Sequence, residues 1–151
     1  MIQGSERLFE ANLSEPIQFA SSWGEALVFS QCHPAREPNQ DSCLCLDFGA
    51  EGLLLAVADG MGGHRQGEVA SRMTLEAVEE KVQTALHEDR GMRAGVIDGF
   101  EGAQERVSAL GSGAGTTLVV ATIDQEGMRS FHTGDSMALL LGAAWLDQAP
   151  D

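Results

Sequence analysis

The run "LLLAVAD", residues 53–59, restricts the possible fold more than any other part of this chain. It is apolar without alternation. As a strand it must be buried on both faces, so packed layers have to lie above and below it. The run ends on Asp59 and opens into the glycine-dense stretch "GMGGHRQGEVAS", residues 60–71. A backbone that gives up side chains so often does so where something approaches it closely.

The elements around this strand follow from pattern. "EALVFSQ" (25–31) reads as a strand, and "CHPAREPNQDS" (32–42), with its two prolines, as a loop. "CLCLDF" (43–48) alternates into another strand, and "GAEG" (49–52) turns from it into the central one. Leu75, Val78, Val82 and Leu86 recur at helical steps, as do Val96, Phe100, Ala103, Val107 and Leu110. The spacing therefore predicts two consecutive helices, the first ended by "HEDRG" (87–91) and the second by "GSGAG" (111–115). "TTLVVATI" (116–123) and "MRSFHTG" (128–134) read as strands joined by a turn at "DQEG" (124–127), and "MALLLG" (137–142) as a last strand. Residues 1–24 carry little pattern and read as an N-terminal arm, which leaves residues 25–151 as the domain. Strands, two helices, then strands again exclude a doubly wound parallel sheet and favour an α+β layered sandwich.

A chain of 151 residues with 43% hydrophobic side chains can bury one core. Its 9 basic against 23 acidic side chains give a formal net charge of −14. Without a basic cluster, such a surface repels nucleic acids and anionic membranes. The three cysteines, Cys32, Cys43 and Cys45, are an odd number and do not suggest a disulfide framework. Cys43 and Cys45 would share one strand face as small buried hydrophobes, and too few ligands accompany them for a thiolate metal site. Residues 1–20 hold no signal-peptide core, and no segment approaches the ~20 apolar residues of a membrane span. The sequence reads as soluble and cytoplasmic.

Three aspartates sit at strand ends: Asp41 in "NQDS", Asp59 in "ADGMGG" and Asp135 in "TGDS". Carboxylates on rigid strand ends suit hard divalent cations, although aspartate and glycine after a strand also simply make turns. His64 and Glu68 are four apart, but they straddle a helix start, where a capping role is the simpler reading. "GSGAG" follows a helix and precedes a strand, the reverse of a dinucleotide-binding order. "DGMGGHRQGE" lacks the alternating oxygen ligands of a calcium loop. There is no phosphate loop ending in Lys-Ser/Thr, and no nucleophile elbow.

Taken in order, "REPNQDS", "VADGMGGHRQGEVAS", "GAGTTLVVATI" and "HTGDSMALLL" resemble the bacterial branch of the metal-dependent Ser/Thr protein phosphatases, the protein phosphatase 2C family. The resemblance covers about residues 25–142. It implies an α/β/β/α layered sandwich, mostly antiparallel sheets flanked by two long helices, apparently truncated here. It also implies two Mn²⁺ or Mg²⁺ ions at one end of the sandwich, with a third, weaker site. On this resemblance Asp59 bridges the two metals and Gly60 gives its carbonyl to one of them. Asp41 holds metal-bound water, with Gln40 at a position that is often Glu. Asp135 belongs to the third site, Arg36 grips the substrate phosphate, and Gly62 and Gly63 form the passage from strand to helix. The implied reaction is hydrolysis of phosphoserine or phosphothreonine by a metal-activated water. The implied partners are phosphorylated proteins of a bacterial Ser/Thr kinase pathway.

Two side chains depart from the pattern: Met137 stands where Arg is usual, and Met61 where eukaryotic members have His. Family members also continue past the "GDS" strand into "DG" and "DN" blocks that supply further aspartates, and "DQAPD" (147–151) offers no equivalent. Half a sandwich would leave an uncovered apolar face. A non-catalytic, phosphatase-like binding or regulatory module therefore stands beside the enzyme reading.

Overall fold

The computed structural model describes residues 1–34, 37–61 and 66–142. Five strands form the body of one antiparallel sheet: β1 (Gly4–Phe9), β4 (Asp41–Asp47), β5 (Leu53–Met61), β7 (Leu118–Asp124) and β8 (Gly127–Thr133), in the order β1-β4-β5-β7-β8. The short β6 (Gly115–Thr116) pairs with the end of β5, and β2 (Ile17–Ser21) and β3 (Gly24–Val28) make a separate hairpin. Two helices, α1 (Gly67–His87) and α2 (Gly91–Ala109), stand between β5 and β6 in the chain. The "LLLAVAD" run is thus the central strand, flanked by β4 and β7.

Strand alternation divides the sheet into two faces. Leu44, Leu46, Leu54, Ala56, Leu118 and Val120 pack with Leu75, Val78 and Val82 of α1 and Val96 of α2 in one buried cluster. Cys43, Cys45 and Leu53 face the other way, joining Leu8 beneath Phe19 and Val28 of the β2–β3 hairpin. The two cysteines are therefore buried on one face, and burial pushes the Cys45 thiol up to about 11. Such thiols stay protonated at neutral pH and serve as packing groups.

The helices follow the apolar stripes and lie against each other through glycine. A Cβ on Gly95 would lie 2.5 Å from the Val82 Cα, and one on Gly99 would lie 2.9 Å from the Val78 Cα. Side chains at either position would push α2 off α1. Among the described residues, no helix is long and apolar enough to cross a membrane.

Three expectations change. The central strand is closely covered on one face only: on the other, Leu55 is half-buried and Val57 exposed, because the β2–β3 hairpin does not reach across it. Residues 1–24 are not a plain arm. Their β1 pairs with β4 over six residues, Gly4↔Asp47 to Phe9↔Ser42, and their β2 completes the hairpin with β3. Exposed polar residues alternate with a few apolar ones on these edge elements, which gives them too weak a pattern to read. "MALLLG" is not a strand either. Residues 137–142 have no regular structure, and Met137, Leu139, Leu140 and Leu141 are exposed. An apolar run needs a pairing partner to become a strand, and none stands beside it among the described residues. The hairpin also leaves part of its face open, as a groove of about 240 Å³ lined by Cys43, Leu55, Val57, Val119, Ala121 and Met137.

The core assignment predicts that Leu54→Ala, at a fully buried position, lowers unfolding free energy by about 2–5 kcal/mol. Leu139→Ala, at an exposed one, should stay within about 0.5 kcal/mol. Urea titration followed by circular dichroism measures both.

Candidate metal centre

Antiparallel pairing of β4 with β5 brings two of the sequence-predicted carboxylates face to face. Asp41 opens β4 and lies directly opposite Asp59 near the end of β5. Asp41 is half-buried and Asp59 exposed. Burial, then the facing charge of Asp59 and a hydrogen bond to it, raise the Asp41 carboxyl above the ordinary aspartate range. No basic side chain among the described residues forms an ion pair with either aspartate. Two carboxylates held together without a cation partner are a donor set that fits a hard divalent ion.

The backbone beneath Asp59 is clamped. Its N–H donates to Thr117 Oγ1 at 3.1 Å and its carbonyl accepts from the Thr117 N–H at 2.9 Å, while the Thr116 hydroxyl shares its proton between the Asp59 carbonyl at 3.0 Å and the Thr117 carbonyl at 2.9 Å. Asp41 is fixed at its own end, where its N–H donates to Asn39 Oδ1 at 3.0 Å. The amide of Asn39 in turn donates to the Ala11 carbonyl and to Ser30 Oγ.

Gly60 explains part of the glycine density. A Cβ there would lie 2.1 Å from the Gly67 carbonyl oxygen and 2.7 Å from that of Gln40, and its N–H donates to the Gln40 carbonyl at 3.0 Å. A group that approaches Gly60 is therefore the chain's own backbone at the first turn of α1. Gly67 is confined in the same way, since its Cβ would meet the Gln40 side chain at 2.9 Å. The fully buried hydroxyls of Ser42 and Ser71 complete the junction. Ser71 Oγ is 2.6 Å from the Gln40 carbonyl, 2.9 Å from Ser42 Oγ and 3.2 Å from the Glu68 carbonyl. A hydroxyl has one proton, so the shortest contact makes Ser71 the donor to Gln40 and the acceptor from Ser42.

Asp135 lies apart from the carboxylate pair. It is exposed in the bend after β8, and the described residues contain no group of three or more His, Cys, Asp or Glu able to hold a metal. Its loop is nevertheless tied to the site: Ser136 Oγ lies 2.6 Å from Thr117 Oγ1, the same oxygen that receives the Asp59 N–H. Gly134, at φ +88°, sits where a Cβ would come within 2.8 Å of the Thr117 methyl. Arg36, Gly62, Gly63 and His64 lie outside the described residues. Glu68 is in the first turn of α1, where a negative charge suits the helix dipole.

Sequence reasoning found the aspartates and missed the groups that aim them: Thr116, Thr117, Ser42, Ser71 and Asn39. The only available signal was small hydroxyl residues beside glycine at strand and helix starts, a pattern common to many turns.

The sequence profile of protein phosphatase 2C matches residues 31–145, a span that holds Asp41, Asp59, Asp135 and both helices. The chain belongs to the protein phosphatase 2C family. It is 34% identical over 119 residues to the serine/threonine protein phosphatase PstP of Mycobacterium tuberculosis, covering 75% of this chain and 22% of that one. It is 30% identical over 114 residues to the serine/threonine phosphatase stp of Listeria innocua, covering 70% and 45%. A Streptococcus pyogenes protein named as protein phosphatase 2C-type is 33% identical over 107 residues, covering 67% and 44%. The chain spans less than half the length of these relatives. Its antiparallel sheet and paired helices are those expected of a protein phosphatase 2C α+β fold, in the part described.

Two outcomes follow for the site. Gly60→Ala forces a methyl into the Gly67 carbonyl and should cost at least about 1–3 kcal/mol, read by urea titration. The second concerns metal-free protein. The folded-state Asp41 value lies above the unfolded one, so the folded state binds that proton more tightly. The pair therefore costs stability as pH rises through the raised value. Asp41→Asn should be the more stable protein at pH 7, and the difference should close as pH falls below the ordinary carboxylate range.

Proposed function

We propose that this chain carries part of the catalytic centre of a metal-dependent protein serine/threonine phosphatase, acting on phosphoserine and phosphothreonine in proteins. The observation that carries this reading is the facing pair Asp41–Asp59, with no cationic partner among the described residues, in a chain of the protein phosphatase 2C family. Asp59, Asp41 and the Gly60 carbonyl would hold two Mn²⁺ or Mg²⁺ ions, and Asp135 a third, weaker one. When bound, the cations supply a water that is nucleophilic at neutral pH and neutralise charge on the phosphate.

The chain's own residues do the rest. The two-threonine clamp holds Asp59 at one backbone position, so its carboxylate needs little reorganisation to serve as a ligand. Asp41 takes part as an acceptor only when ionised, and a nearby dication lowers the carboxyl that its neighbour raises. Arg36 is assigned to the phosphoryl oxygens as a fixed positive fork. The wider consequence is signal termination: dephosphorylation opposes a Ser/Thr kinase.

A second reading is favoured by one observation, the absence of a third carboxylate group beside the pair among the described residues. In it the chain binds metal and phosphopeptide without turnover.

Mn²⁺-dependent hydrolysis of para-nitrophenyl phosphate, with calorimetric Mn²⁺ titration of the same samples, separates the two. Hydrolysis by the parent that Asp59→Asn abolishes supports the enzyme. Saturable Mn²⁺ binding without hydrolysis, lost in Asp59→Asn, supports the binding module. Equal behaviour of parent and variant in both assays removes the site assignment.

A further inference from the structure

The side chain of Thr117, just before β7, is held at two points by the bend that carries Asp135. Gly134 lies against its methyl group, where a Cβ would come within 2.8 Å, and Ser136 Oγ lies 2.6 Å from its hydroxyl oxygen. Asp135 stands between these two contacts in the chain. The same hydroxyl oxygen receives the Asp59 N–H at 3.1 Å. One buried side chain, 1% exposed, therefore touches both the strand end that presents Asp59 and the bend that presents Asp135.

The direction of the two bonds follows from the single hydroxyl proton. Thr117 Oγ1 is the acceptor for the Asp59 N–H. Among the described residues, the acceptor within reach of its own proton is Ser136 Oγ. The order is thus Asp59 N–H to Thr117 Oγ1, then Thr117 O–H to Ser136 Oγ. Two bonds running the same way in a buried setting strengthen each other. A β-branched side chain also has few rotamers, and the Gly134 contact on the methyl leaves the hydroxyl little freedom to turn away.

We propose that Ser136 is a positioning residue of the metal centre: through Thr117 it fixes the backbone that presents Asp59, and it ties the Asp135 bend to that strand end. This rests on the reading above that Asp59 is a metal ligand. Loss of the Ser136 hydroxyl leaves a buried Thr117 proton without its acceptor, which costs free energy until the Thr117 side chain or the bend shifts. Either shift moves the acceptor of the Asp59 N–H. Asp59 then leaves the geometry that a cation requires for part of the time, and binding weakens by that fraction.

The test uses the whole ¹⁵N-labelled chain, with the Asp59 amide resonance read in metal-free protein and the Mn²⁺ affinity read by calorimetry. Ser136→Ala should shift the Asp59 amide and raise the Mn²⁺ dissociation constant about 3–10-fold. Ser136→Thr, which keeps a hydroxyl, should return both towards the parent. Ser130→Ala, at an exposed position of β8, should change neither. Thr117→Val keeps the shape and removes the hydroxyl, so it should weaken Mn²⁺ binding, and adding Ser136→Ala to it should have no further effect. Urea titration of the same variants sets the affinity of folded protein apart from stability. A Ser136→Ala protein that is less stable but binds Mn²⁺ as the parent does overturns the proposal. So does a Ser136→Ala effect of undiminished size beside Thr117→Val. A parent that binds no Mn²⁺ removes the metal reading and the proposal with it, whereas equal binding by parent and Ser136→Ala removes the proposal alone.

Discussion

The site rests on one close approach, that of Gly60 to the first turn of α1. With no side chain between them, the Gly67 carbonyl and the Gln40 carbonyl can both lie against Gly60. That contact holds together the end of β5, the first turn of α1 and the residue that precedes β4. Asp59 is one residue before it and Asp41 one residue after Gln40. Two aspartates that are 18 positions apart in the chain thus take their relative placement from a backbone junction with no room for a methyl group. The hydroxyls of Ser42 and Ser71 lock the same junction from within the core.

The carboxylate pair is a local conflict inside a consistent fold. The pairing of β4, β5 and β7 and the stripes of both helices agree with the local sequence, whereas two like charges opposite each other on neighbouring strands oppose folding. Such disagreements concentrate at functional sites, where the cost is offset by a ligand or by the rest of the structure. With a formal charge of −14, the chain supplies little of that offset from its own cations.

What the sequence made legible was whatever buries a continuous or periodic apolar surface. The central strand, both helices and the β7–β8 hairpin lie where pattern places them, because Leu54, Val78, Val96 and Val120 have one physical role each. The aspartates were legible because they end strands. The clamp on Asp59 was not, since nothing about Thr116 or Thr117 alone says that their partner is 57 or 58 residues away. The glycines were found, but the contact that Gly60 makes between two stretches of this chain was not. Leu139, Leu140 and Leu141 mislead in the opposite sense, because an apolar run reports a wish for burial and cannot name what does the burying.

The first strand carries one more consequence. The stretch shared with the family starts at residue 31, but β1 pairs with β4 from Ser42 to Asp47, and the Arg7 guanidinium reaches the Glu79 carboxylate on α1. Homology and folding therefore draw different borders on this chain. A protein trimmed to the matched stretch would turn the strand that begins with Asp41 into a bare sheet edge, open to pairing with any other extended chain. The residues least like a phosphatase are the ones that keep its aspartate strand from becoming a template for aggregation.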